Sequence, residues 1–142
     1  MVRLKTRYLV MEATTSARKL AVKQDDLATL IRASITKSYG DFGAGLAQYA
    51  FQVLYYNAST RLAVIRCARK WCKMVETSLV FVTDGHNQDV RLRVARVCGS
   101  SRTCRKYLLQ YSTERAKTMN LYASQPNFDR EVQAEIARVD PQ

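Results

Sequence analysis

An α+β sandwich, with helices packed on one antiparallel sheet, is the fold class this sequence predicts. Three observations predict it. Apolar and polar residues alternate with a period of two in four separate stretches, and two intervening segments switch to the 3.6-residue period of a helix. No apolar run reaches the eighteen or so residues of a membrane span, and no lipidation signal is present. At 142 residues, 47% of them hydrophobic, the chain can bury one core of ordinary size, so one main domain is expected.

The elements follow in order. The opening stretch "MVRLKTRYLV" places Arg3, Lys5 and Arg7 at alternate positions, so in a strand they share one face while Leu4, Tyr8 and Val10 share the other. Glu12 interrupts the apolar run after Met11, too early for the roughly seven to fifteen apolar residues of a secretory signal. Residues 3–13 therefore read as a strand. From Gln24 onward Leu27, Leu30, Ile31 and Ile35 fall on one helical face. Asp25 and Asp26 stand at its electropositive start and Gly40 just past its end. The spacing predicts a helix over 24–39 and then a glycine loop, "GDFGAG".

In "LAQYAFQVLYYN", Tyr49, Phe51, Val53 and Tyr55 alternate with Gln48, Gln52 and Tyr56; "NAST" turns the chain and "RLAVIRCAR" returns it as the second strand of a hairpin. Trp71, Val75, Leu79 and Val82 predict a helix over 70–82, ended by "TDGHNQD". "VRLRVARVC" is the last strand, with Val90, Leu92 and Val94 alternating with Arg91, Arg93 and Ala95. "GSSRTCRKYLLQYSTERAK" follows as a helix whose apolar stripe is Cys104, Tyr107, Leu108 and Tyr111. Past Pro126, Phe128, Val132, Ile136 and Val139 line one face of a short final helix, in a stretch almost equally suited to a frayed tail. Strand, helix, strand, strand, helix, strand is the order of a split βαβ sandwich, ferredoxin-like or RRM-like, here with additional C-terminal helices.

Helices over 24–39 and 70–82 are expected to cover Leu4, Tyr8 and Val10. That leaves an open face bearing Arg3, Lys5, Arg7, Arg91 and Arg93. Strict alternation puts Leu9, Met11, Ala95 and Val97 on the same face, and such apolar surface wants either the third helix or another protein over it. These four are the expected protein interface.

A net charge of +11 and a pI near 9.8 favour polyanionic partners, nucleic acid first. The basic excess lies wholly in residues 1–117, whereas 118–142 carry more acid than base. A basic RNA-binding domain over 1–117 and a helical or flexible tail over 118–142 are expected. Cys67, Cys72, Cys98 and Cys104 read as free thiols of a reducing compartment. Their separations of five and six do not suit a zinc site, and His86 is the only imidazole in the chain.

Catalytic constellations find little support. His86 has no nucleophile fixed near it by a motif, and Asp25 and Asp26 are explained by the helix start. An acylphosphatase-like cradle needs a glycine loop after the first strand, whereas "EATTSARKL" offers Arg18 and no glycine. Base stacking of the RNA-recognition-motif type needs aromatics on the third strand, and "RLAVIRCAR" has none. In "GSSRTCRKYLLQY", by contrast, Arg102, Arg105 and Lys106 stand in the first turns of a helix with free N–H groups. That is either a phosphate site or a capped helix with a solvated cationic face.

Four stretches in register, "MVRLKTRYLVME", "YGDFGAG", "YYNASTRLAVIRCAR" and above all "GSSRTCRKYLLQY", resemble the small protein subunit of ribonuclease P and ribonuclease MRP, the Processing-of-Precursor-RNA five family, across residues 1–117. The resemblance implies a ferredoxin-like fold with an extra helical layer. It implies a non-catalytic RNA-binding subunit of particles that remove the 5′ leader of precursor tRNA and cut precursor rRNA. Magnesium and catalysis belong there to the RNA component, with no cofactor or metal on this chain. Implied partners are the ribonuclease P and MRP RNAs, precursor tRNA, a TIM-barrel-like protein subunit and other subunits, with no membrane. Implied RNA contacts are Arg3, Lys5 and Arg7 on the first strand and Arg102, Arg105 and Lys106 on the third helix; Arg91 and Arg93 join them from the open-face reading. A eukaryotic chain would work in the nucleus and nucleolus, an archaeal one in the cytoplasm. The alternatives are another basic ribosomal-type RNA-binding module and a small phosphate-handling enzyme, which phosphatase activity would reveal.

Overall fold

The computed structural model describes residues 5–16, 22–46, 51–85, 88–121 and 125–139. Strand β1 (Thr6–Thr14) leads to helix α1 (Gln24–Leu46) and the hairpin β2 (Phe51–Asn57) and β3 (Leu62–Ala68). A 3-10 turn at Arg69–Trp71 runs into α2 (Cys72–Val80). The two-residue pair β4 (Asp84–Gly85) and β5 (Gln88–Asp89) precedes β6 (Arg91–Cys98), α3 (Ser101–Thr118) and α4 (Phe128–Ala137). The sheet order is β2-β3-β1-β6, antiparallel at every pairing. This is the ferredoxin-like α+β arrangement, with a helical layer on each face rather than on one.

Which face each helix covers reverses the expectation. Leu9, Met11 and Ala13 pack with Leu27, Ile31 and Ile35 of α1 and Val75 and Leu79 of α2. Tyr8 and Val10 pack instead with Cys104 and Leu108 of α3 and with Phe128, Val132 and Ile136 of α4. The reason lies in "YLVM": all four residues of this run are apolar, so alternation cannot say which pair faces which layer, and a one-residue change of parity exchanges the faces. Both pairs are buried, each side chain contributing roughly 1.5–3 kcal/mol relative to exposure. Leu9 and Met11 are therefore core residues, with no surface left for a partner. Residues 128–139 share the second core with the basic body, so packing does not divide the chain near residue 117.

Two bulges complete the sheet. Val10 stands opposite Arg96 and Met11 opposite Val94, so Ala95 is the extra residue in β6. Val53 pairs with Ile65 and Tyr55 with Val64, so Leu54 is the extra residue in β2. Each bulge reverses the alternation beyond it. Val97 thereby joins the α1/α2 face, Arg96 joins the α3 face, and Tyr55 parts from Phe51 and Val53 to enter the second core.

The connections obey local chemistry. Asn57 accepts from the backbone N–H groups of Ser59 (2.9 Å) and Thr60 (3.2 Å), closing the predicted turn between β2 and β3. Asp89 accepts from the Ser16 N–H (3.2 Å) and hydroxyl (2.5 Å), tying the end of β1 to β5. The Ser16 hydroxyl, above all, holds the Asp89 carboxyl below its usual range. All four cysteines are free and buried, and desolvation pushes Cys67 and Cys104 up to about 12.

The glycine loop expected after α1 is a kink within it. Gly40, at φ 65° and ψ −146°, breaks the helix in a conformation essentially reserved for glycine, and helix resumes to Leu46. This folds Gly43 against the preceding turns, where a Cβ would lie 2.7 Å from the Ile35 carbonyl oxygen and from the Tyr39 Cβ. Gly43→Ala is expected to destabilise the fold by about 1–3 kcal/mol through overpacking against backbone. A thermal melt checks this; an unchanged midpoint would mean that the segment after Gly40 does not hold this close approach.

Candidate nucleic-acid interface

Pairing of Tyr8 with Cys98 brings the start of β1 to the end of β6, where the chain enters α3. Ser100 caps that helix, its hydroxyl accepting from the Thr103 N–H at 3.3 Å. The buried stripe of α3 is Ser101, Cys104, Leu108, Ser112 and Ala116, which turns Arg102 and Lys106, four residues apart, to solvent. The helix then runs back along β6 until Arg115 reaches Glu12 of β1. Cations of β6 and α3 thus line one edge of the molecule.

The expected contacts divide by environment. Lys5, Arg91, Arg93, Arg102 and Lys106 are exposed. Arg7 is half-buried, on the opposite face from Arg91 and Arg93, and its Nη1 donates to the Thr6 carbonyl at 2.9 Å. Arg105 is also half-buried, its Nη1 donating to the Val139 carbonyl at 3.0 Å, so it ties α3 to the end of α4 rather than standing free in solvent. Arg3 and His86 lie outside the described residues. Arg93 donates from Nε to Glu12 Oε1 at 2.6 Å, and Arg115 pairs with the other carboxylate oxygen. One carboxylate therefore orients two guanidinium groups.

Of the expected protein interface, Leu9 and Met11 are buried, Ala95 is half-buried in the bulge, and Val97 is exposed on the α1/α2 face, opposite the side that carries Arg91 and Arg93. The exposed apolar surface lies elsewhere. Phe42, Val80 and Phe81 are 61%, 72% and 63% exposed. Beside Phe81 a groove of about 430 Å³ runs between α1 and the end of α2, lined by Leu30, Ser34, Lys37, Phe81 and Val82.

Sequence reasoning missed Arg96 and Arg115 at the cationic edge. Arg96 was hidden by the bulge, because regular alternation places it with Leu92 and Val94. Arg115 follows from continuing the helical period past Tyr111, a signal that was present. Among the described residues no cluster of three or more His, Cys, Asp or Glu could hold a metal ion, and no helix is long and apolar enough to cross a membrane.

Comparison with known proteins adds what geometry does not carry. Residues 7–109 match the model of the Rpp14/Pop5 family. The chain is similar to the ribonuclease P/MRP protein subunit POP5 of Bos taurus, 36% identical over 118 residues, covering 79% of this chain and 69% of that one. The Homo sapiens protein of the same name is 35% identical over 118 residues, covering 79% and 72%. Among solved structures, a chain in the cryo-EM structure of yeast ribonuclease MRP superposes with a TM-score of 0.59 at 15% identity, covering 83% of this chain and 98% of that one. That last likeness is one of fold.

Arg102→Ala combined with Lys106→Ala is expected to leave the melting temperature unchanged. It should flatten the plot of log affinity against log salt for single-stranded RNA by about 1.4, or 0.7 per lost phosphate contact. Titrations at several salt concentrations measure this, and an unaltered slope would remove both residues from the interface. Arg105→Ala should instead lower stability by about 1 kcal/mol, having lost a charged donor to a main-chain carbonyl.

Proposed function

The chain belongs to the Rpp14/Pop5 family, and on that premise we propose that it is a non-catalytic, RNA-binding protein subunit of ribonuclease P and of ribonuclease MRP. In the first particle it helps the RNA component remove the 5′ leader of precursor tRNA; in the second it supports cutting of precursor rRNA. The RNA supplies the magnesium sites and the hydrolytic chemistry. This chain braces the RNA fold and helps hold substrate, and the nucleus and nucleolus are its compartments.

The observation that carries the reading is the edge of exposed cations on β6 and α3, set on the fold of that family. Arginines and lysines strung along a strand and a helix neutralise successive phosphates and release their counterions, which is how a small basic domain grips an RNA backbone. Six such contacts would give a salt slope of about −4 to −5. The test is to tag the chain in its native cell, purify it gently and sequence the RNA that accompanies it. Ribonuclease P RNA with MRP RNA is the expected result; ribosomal RNA alone, or no defined RNA, would overturn the assignment.

For the protein partner of this reading, a TIM-barrel-like subunit, we propose the α1/α2 side. Phe42, Val80 and Phe81 lie there, across the sheet from the cations, so both ligands can be held at once. Phe42 stands against Trp71 at the start of α2 and Val80 and Phe81 at its end, so large exposed apolar side chains mark both ends of this helix as an interaction surface. Phe42→Ser with Phe81→Ser is expected to reduce co-purifying protein subunits at least tenfold while leaving the RNA salt slope of the purified chain as it was. Equal recovery of the other subunits would move the interface elsewhere.

A further inference from the structure

Tyr107 and Tyr111, one helical turn apart on α3, stack in an offset arrangement, with centroids 6.5 Å apart and planes 27° from parallel. The guanidinium of Arg96 lies 3.4 Å from the centroid of the Tyr107 ring. Arg96, Tyr107 and Tyr111 therefore form a ladder across the seam between β6 and α3. Beside Tyr111 a cavity of about 380 Å³ opens, walled by Glu12, Arg93, Glu114 and Arg115. Both tyrosines are only half-buried, packed against the second core on one side and open on the other.

We propose that this cleft receives an unpaired nucleobase of the bound RNA, packed against Tyr111, with its flanking phosphates at Arg93 and Arg96. The inference rests on the RNA-binding reading above and adds a base subsite to it. Charge selects the ligand. A phosphate entering the cavity would meet two carboxylates, Glu12 and Glu114, whereas a neutral planar base presents N–H groups to acceptors that can only accept. Glu12 is already neutralised by Arg93 and Arg115, which leaves the cavity close to electrically balanced inside, while Arg96 stands over the neighbouring Tyr107 ring.

Position selects it too. The cleft lies on the edge that carries Arg91, Arg93, Arg102 and Lys106, so a strand following those cations passes over it. A base still inside a duplex cannot turn its face to Tyr111, so the subsite takes a nucleotide from a loop, bulge or single strand. Stacking on an aromatic side chain is sequence-tolerant and raises affinity by about 5- to 150-fold per base.

The test uses the full chain and two single-stranded RNA oligomers of equal length and charge, one with ordinary bases and one abasic at its central positions. Wild-type chain is expected to bind the first about 5- to 150-fold more tightly. Tyr111→Leu should abolish that preference while keeping the wild-type affinity and salt slope for the abasic oligomer, and Tyr111→Phe, which keeps a ring, should restore it. Equal affinity of the wild-type chain for both oligomers would overturn the base subsite and leave the RNA-binding reading standing. A base preference that survives in Tyr111→Leu would overturn its assignment to this cleft. Binding of neither oligomer at low salt would remove the RNA-binding reading, and this inference with it.

Discussion

Burial of β1 on both faces is the constraint on which the rest of this structure depends. Its run from Tyr8 to Met11 sends two side chains into each of two cores, and its neighbours β3 and β6 are held to it on either side. A central strand that is apolar on both faces cannot rest with one of them wet, so helices must come to both sides. The α1/α2 layer follows from the split βαβ order. The α3/α4 layer completes it, and α4 takes part because Phe128, Val132 and Ile136 are buried in the same cluster as Tyr8 and Val10 of β1 and Cys104 and Leu108 of α3.

Covering the sheet in this way decides where RNA can be bound. A four-stranded sheet of this type with one face bare could stack bases on its strands; here both faces are occupied, which is why the RNA surface proposed above is the edge between β6 and α3. There the second consequence of β1 appears. Glu12, at the outer end of the same strand, holds Arg93 from β6 and Arg115 from α3. The outer pair, with Arg93 largely exposed, adds little to stability, typically about 0–1 kcal/mol. The value of the two pairs here is positional, since two guanidinium groups are kept at fixed places along the seam.

The two sides of the molecule thus differ in chemistry. Along the β6–α3 edge, cations and half-buried tyrosines suit a polyanion that also offers aromatic faces. On the α1/α2 side, the kink at Gly40 carries Phe42 over Trp71, whose ring centroid lies 5.7 Å away, and Phe81 stands exposed at the end of α2. The proposed subunit would thus touch RNA and protein through separate surfaces. Buried thiols, with Cys67 and Cys104 pushed far above neutral pH, make no reactive group available at either one.

By itself the sequence determined the order of elements, the helical and strand periods, the turn at Asn57, the cationic first turns of α3 and the four motifs of the family. Each of these is a local signal, carried by residues within a few positions of one another. Only the tertiary structure decided that Leu9 and Met11 are core, that Arg105 reaches Val139 and that Arg96 lies over Tyr107. The physical reason is that "YLVM" is apolar at every position and so carries no parity. The bulge at Ala95 arises only from pairing with β1, and the partner of Arg105 is more than thirty residues away. A strand's period can be read from its own residues, but the sign of its faces is set by what packs against them.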